Sequence, residues 1–150
     1  MKLIISHMLL ILLALSACSQ ADSQASDKQP EQNAVLNNPD YVLLKNNCFA
    51  CHNPNSNSHD EMLAPPLAGI KMRYMKDYGN RQEFIDAMAG FASNPTKEAA
   101  KMQGPVRRFG LMPKPVVEKE ELMKIVAFIY DNELEKPDWF DEHHEKMGKN

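Results

Sequence analysis

The sequence predicts an all-α fold, a small domain of short helices. Three observations carry that prediction. Two segments repeat apolar residues at helical spacing: Phe84, Ile85, Met88 and Phe91 in one, Leu122, Ile125, Val126 and Ile129 in the other. No segment alternates apolar and polar residues as a half-buried strand does. Ten prolines and six glycines punctuate the chain without forming a repeat, which keeps each helix short. A length of 150 residues allows one domain with one modest core, and a net charge of −3 is too mild for a nucleic-acid binder.

The first segment stands apart from this domain. Lys2 gives a short positive start, and residues 3–15 are almost purely apolar, broken by Ser6 and His7. The run is too short to span a membrane comfortably and is bounded like a secretory signal. It ends in Leu15-Ser16-Ala17-Cys18, which resembles the lipobox of bacterial lipoproteins. The resemblance implies that residues 1–17 are removed and that Cys18 becomes an acylated N-terminus; the alternative is an ordinary signal peptide with an incidental cysteine. Residues 19–37 are rich in Ser, Gln, Asp and Asn and too polar to order themselves. As a flexible tether this stretch would reach roughly 25 Å. The expected organisation is therefore a signal peptide at 1–17, a lipidated N-terminus and tether at 18–37, the helical domain at 38–135, and an acidic C-terminal tail at 136–150.

Within the domain, Asn38 and Pro39 form an N-cap and first-position pair for a helix over 39–47. A polar loop follows, then the apolar "LAPPLAGI" stiffened by Pro65 and Pro66. Helices are expected over 70–78 and 81–91, the second capped by Asn80, with another turn over 97–102. "GPVRRFGLMPKP" reads as an irregular loop, because glycines and prolines interrupt it. The last strong helix is expected over 117–134. It has no side-chain N-cap, but Glu118, Glu120 and Glu121 favour its dipole. The tail beyond Pro137 is mostly polar, with Trp139 and Phe140 expected to pack back on the domain.

The chemistry is concentrated in "CFACH", Cys48 to His52. Three readings compete. A structural zinc site needs four ligands in closed tetrahedral geometry. His59 could be the fourth, but adjacent Cys51 and His52 strain simultaneous ligation. A redox dithiol belongs beside a βαβ pattern, and this sequence has no strands. In the third, both thiols attach covalently to the vinyl groups of a haem and His52 ligates the iron; C-x-x-C-H is a strong signal for it. A covalently held haem would also give a thin core of short helices a large apolar body to pack on.

With these motifs, residues 38–134 resemble a monohaem class I cytochrome c. "CFACH" matches the haem-binding motif, "APPLAG" resembles the proline segment after it, and "GLMPKP" resembles the loop carrying the second axial ligand. The resemblance implies a cytochrome c-like fold around one covalent haem c with iron, its N- and C-terminal helices packed near the haem edge. It implies that Cys48 and Cys51 hold the haem, that His52 is the proximal ligand, and that the Pro65 carbonyl orients the His52 ring. The chain departs from the pattern in lacking a capping residue before the last helix and in its acidic tail.

The sixth ligand is less defined among ten methionines. Met62, Met72, Met75, Met88 and Met123 fall on or near helical faces, where packing is their ordinary role. Met112, between Gly110 and Pro113 and ahead of the last helix, is the favoured ligand. Met102, a second histidine among His59, His143 and His144, and an open position are the alternatives. Candidate donors to the haem propionates are Arg73 and Tyr74, with Lys71, Arg107 and Arg108 behind them.

His/Met ligation leaves no vacant iron site and favours one-electron transfer. The expected function is a lipid-anchored electron carrier facing the periplasm, at the outer membrane if the cell has two. It would pass electrons between redox protein partners, one of them with an acidic docking surface. Residues 71–114 hold nine Lys/Arg and four Asp/Glu, whereas residues 131–150 hold three Lys and seven Asp/Glu, so a basic rim near the haem would steer such a partner. The rivals are a haem enzyme or sensor with an open sixth position, and a redox-inert domain with a Cys48–Cys51 disulfide.

Overall fold

The structure is a computed structural model that describes residues 35–147. Cys18, the signal peptide and the tether up to residue 34 lie outside the described residues. The chain divides at Val35–Leu36, and the helices described below belong to the unit from Leu36 onward. Six α-helices and no strand occur among the described residues. None of these helices is long and apolar enough to cross a membrane.

Helix α1, Pro39–Cys48, starts where the Asn38 side chain accepts from the Asp40 N–H at 2.8 Å, with Pro39 in the first turn. Helix α2, Leu67–Asp77, begins three residues earlier than the sequence predicts. Extended Pro66 serves as its cap position, and its carbonyl accepts from Gly69 and Ile70 N–H. Proline chemistry thus starts this helix instead of delaying it. Helix α3, Arg81–Ser93, is capped by Asn80, which accepts from the Glu83 N–H at 3.0 Å. A turn follows, with Ala100 N–H on the Thr96 carbonyl.

Residues 104–109, expected as loop, belong to helix α4, Gln103–Phe109. Pro105 falls in its first turn, where backbone N–H groups have no intrahelical partner, so the ring removes no bond. Gly110 ends the helix at φ +84°, in a region L side chains rarely adopt. Helix α5, Lys119–Asp131, is shorter at both ends than expected and has no side-chain cap bond. Helix α6, Phe140–Met147, occupies most of what the sequence presents as a polar tail. Asp141 and Glu142 lie in its first turn, and Lys146 pairs with Glu142 one turn back at 2.6 Å.

The core forms where α5 packs on α3 and α1. Leu122, Ile125, Val126, Phe128 and Ile129 present one buried stripe, met by Phe84, Ile85 and Met88 of α3 and by Tyr41 and Leu44 of α1. Phe84, Leu44, Ile125 and Val126 are the largest fully buried side chains, and each contributes about 1.5–3 kcal/mol by leaving water. Arg81 forks onto Asp131 at 2.8 and 2.6 Å, joining the start of α3 to the end of α5. Lys71 donates to the Tyr130 and Asn132 carbonyls, both at 2.8 Å, and so satisfies the end of α5. Phe140 seats α6 on α2 at Gly69, where an added Cβ would lie 3.3 Å from the ring.

Candidate haem site

The last turn of α1 runs directly into the cysteine motif. Cys51 and His52 N–H groups both bond back to the Cys48 carbonyl, at 3.2 and 2.9 Å. That turn gathers both thiols and the imidazole onto the wall of one cavity of about 270 Å³. The rest of the wall comes from α2 (Leu67, Ile70, Tyr74), α3 (Met88, Phe91), α4 and the loop after it, and the inner stripe of α5. The lining is largely carbon, with Asn47, Lys101 and Lys114 among the few polar residues.

His52 is buried, and its Nδ1 lies 2.7 Å from the Pro65 carbonyl oxygen. A carbonyl can only accept, so Nδ1 carries the hydrogen and Nε2 keeps its lone pair. Burial holds the ring below the ordinary histidine range, partly offset by the Pro65 bond, so it stays the neutral base a metal requires. Cys48 and Cys51 are free thiols. Burial first, and Cys51 second, pushes the Cys48 thiol up to about 11, so it is a poor spontaneous nucleophile. Among the described residues, no group of three or more His, Cys, Asp or Glu comes together as a metal cluster, including any zinc set built on His59.

Of the methionines among the described residues, Met88, Met102 and Met112 line the cavity. Met72 and Met75 are exposed on α2. Met112 follows Gly110 in the loop after α4, with Pro113 and Pro115 beside it on the wall. His59, His143 and His144 are not part of the lining.

The proposed propionate donors separate. Tyr74 lines the cavity, and burial, with Tyr78 and Asp77 behind it, pushes its phenol up to about 12, so it remains a neutral donor. Arg73 is off the wall and pairs with Asp77 at 3.4 Å. Lys71 is engaged by the end of α5, and Arg108 by His59 and Asp60. Lys101 and Lys114, which the sequence reading passed over, are the basic residues on the wall among the described residues, and Lys101 shares Asp77 with Arg73, at 3.7 Å. Their only signal was membership of the basic 71–114 stretch. Pro105, Val106 and Phe109 were missed as well, because their helix read as loop.

A small all-helical domain that gathers two free cysteines in C-x-x-C-H and a neutral, backbone-oriented histidine at one apolar cavity has the donor set of a covalent haem protein. The cytochrome c family model matches residues 41–132, and the chain belongs to that family. Comparison with curated proteins and comparison with solved structures returned no match. Membership implies a covalently bound haem c with its iron, and the residues present fit it: two thiols to attach, one imidazole lone pair, and apolar walls from five helices. The family serves electron transfer with redox protein partners.

Proposed function

We propose that this cytochrome c is a membrane-anchored one-electron carrier whose haem is attached through Cys48 and Cys51 and ligated by His52 and Met112. The single observation that carries the reading is that Cys48, Cys51, His52 and Met112 line the same cavity. When bound, the iron supplies the ferric/ferrous couple. The chain supplies the rest. Pro65 holds the imidazole in the ligating tautomer. Pro113, with no N–H and a restricting ring, keeps Met112 extended. The thioether, soft and neutral, favours the ferrous state. The apolar wall excludes water and acts in the same direction. Tyr74 lies on that wall as a donor for the propionates, and Lys101, on the same wall, would exchange its Asp77 partner for one.

Anchoring rests on Leu15-Ser16-Ala17-Cys18. Stable anchoring takes more than one acyl chain, which lipoprotein processing provides, and Ser19 after the cysteine favours the outer membrane. Docking rests on the basic stretch: Lys114 and Lys101 lie at the cavity, Lys101 sharing Asp77 with Arg73, while Arg81 and Arg108 pair with Asp131 and Asp60.

The test is the visible spectrum and redox titration of the haem-loaded protein and its Met112→Ala and Met102→Ala variants. Met112→Ala is expected to lose the weak ferric sulfur-to-iron band, lower the potential and admit carbon monoxide, with Met102→Ala unchanged. Loss of the band in Met102→Ala alone would reassign the ligand. A wild type without the band that binds carbon monoxide quickly would replace the carrier with a ligand-binding haem protein.

A further inference from the structure

His59 stands outside the cavity, in the short turn His59–Glu61 between His52 and the wall residues Leu63, Ala64 and Pro65. Arg108 of α4 reaches it: Nη1 lies 2.6 Å from His59 Nδ1, and Nη2 donates to the His59 carbonyl at 2.8 Å and to Asp60 at 3.1 Å. Helix α4 also places Pro105, Val106 and Phe109 on the cavity wall. From the other side, the His143 ring of α6 stacks on His59 at 4.5 Å between centroids and 27° between planes. Trp139 meets His59 edge-on at 5.7 Å, and its indole N–H donates to the Ser56 carbonyl at 3.0 Å. One imidazole therefore joins the loop after the proximal histidine to α4 and to a helix that lies beyond the family match.

A guanidinium only donates, and Arg108 Nη1 lies 2.6 Å from His59 Nδ1 and 3.3 Å from Nε2, so the shorter contact needs a neutral ring with Nδ1 as a bare acceptor. Protonation would turn that acceptor into an N–H facing a cation. The charged and titratable groups facing His59 are Arg108 from α4, His143 from α6 and Asp60 in its own turn. Of the other charges around α6, Lys136 pairs with Asp141 and Lys146 with Glu142. Burial, then Arg108, then His143 hold His59 below the ordinary histidine range, and Asp60 works against them.

We propose that His59 is a positioning residue, a strap whose ring holds the loop after His52 to α4 and α6 while neutral and loosens both attachments when protonated. The direction follows from linkage. A histidine held low in the strapped state gives its full contribution above about pH 6.5, the ordinary histidine value, and loses it progressively below. The strap itself is independent of the methionine assignment, although its influence on the iron rests on the haem reading above.

Hydrogen exchange of the haem-loaded protein tests it, followed over residues 53–62 and 136–147 at pH 7.5 and 5.5 and corrected for intrinsic rates. The wild type should exchange several-fold faster in both segments at pH 5.5. His59→Asn, whose amide oxygen still accepts from Arg108 but does not titrate, should stay protected at both values. Arg108→Gln removes the facing cation and should move the wild-type transition to higher pH. Trp139, the only tryptophan, gives a second reading through its access to acrylamide. Below pH 6.5 the wild-type midpoint potential should fall relative to His59→Asn, as solvent reaches the site. Equal wild-type protection at both pH values, or a pH response that survives in His59→Asn, overturns the strap. Coincident potential profiles overturn the positioning role. Failure of His/Met ligation would appear separately, in the spectrum at neutral pH.

Discussion

The two sides of the cavity are built differently. Cys48, Cys51 and His52 are neighbours in sequence, held by one helical turn and by the Pro65 carbonyl thirteen residues on. The other part of the wall takes Met88 from α3, Met102 from before α4, and Met112 from the loop after it. Where reactive groups are consecutive, local hydrogen bonds suffice to assemble them. Where they are scattered, packing has to choose among chemically identical side chains.

The largest expected effect lies on the cysteine side. Cys48→Ala with Cys51→Ala removes both attachment points, so covalent haem should be absent by haem staining after denaturation; full-intensity staining would break the comparison outright. Next comes Met88→Ala. Met88 is a buried residue of α3, so truncation should cost about 2–5 kcal/mol in denaturant unfolding, while the sulfur-to-iron band survives.

Two smaller substitutions sharpen the contrast because their expected costs are similar and their consequences differ. Gly110→Ala puts a Cβ at φ +84° and ψ −178°, a region reserved for glycine, at about 1–3 kcal/mol. It sits two residues from Met112, so it should also perturb the band and the potential. Asn38→Ala removes the cap of the helix that delivers Cys48, at about 1 kcal/mol. It should leave spectrum and potential unchanged, because the turn from Cys48 to His52 keeps its own bonds. Equal spectral effects would mean that the two sides are not built differently after all.

Helix α4 and helix α6 show what composition conceals. Gly104 and Pro105 argue against a helix in general, but in a first turn they cost no hydrogen bond, and position within an element is not visible before the element is known. The 136–150 segment looks like solvated charge. Its helix is anchored by Phe140 on Gly69 and by Trp139 on Ser56, contacts 71 and 83 residues apart in the chain. In the same way, Lys71 and Arg108 are indistinguishable in sequence from solvated basic residues, and only their long-range partners assign them to structure.

By itself, the sequence determined the all-α class, the stripe of α5, the caps Asn38 and Asn80, and the attachment motif, because each depends on residues within a turn or two of one another. The tertiary structure decided that Met88, Met102 and Met112 are the methionines on the cavity wall among the described residues, which basic residues stand on that wall, and that His59 bridges α4 and α6. Those outcomes depend on how separate helices pack, and packing brings together side chains whose sequence neighbours carry no trace of the contact.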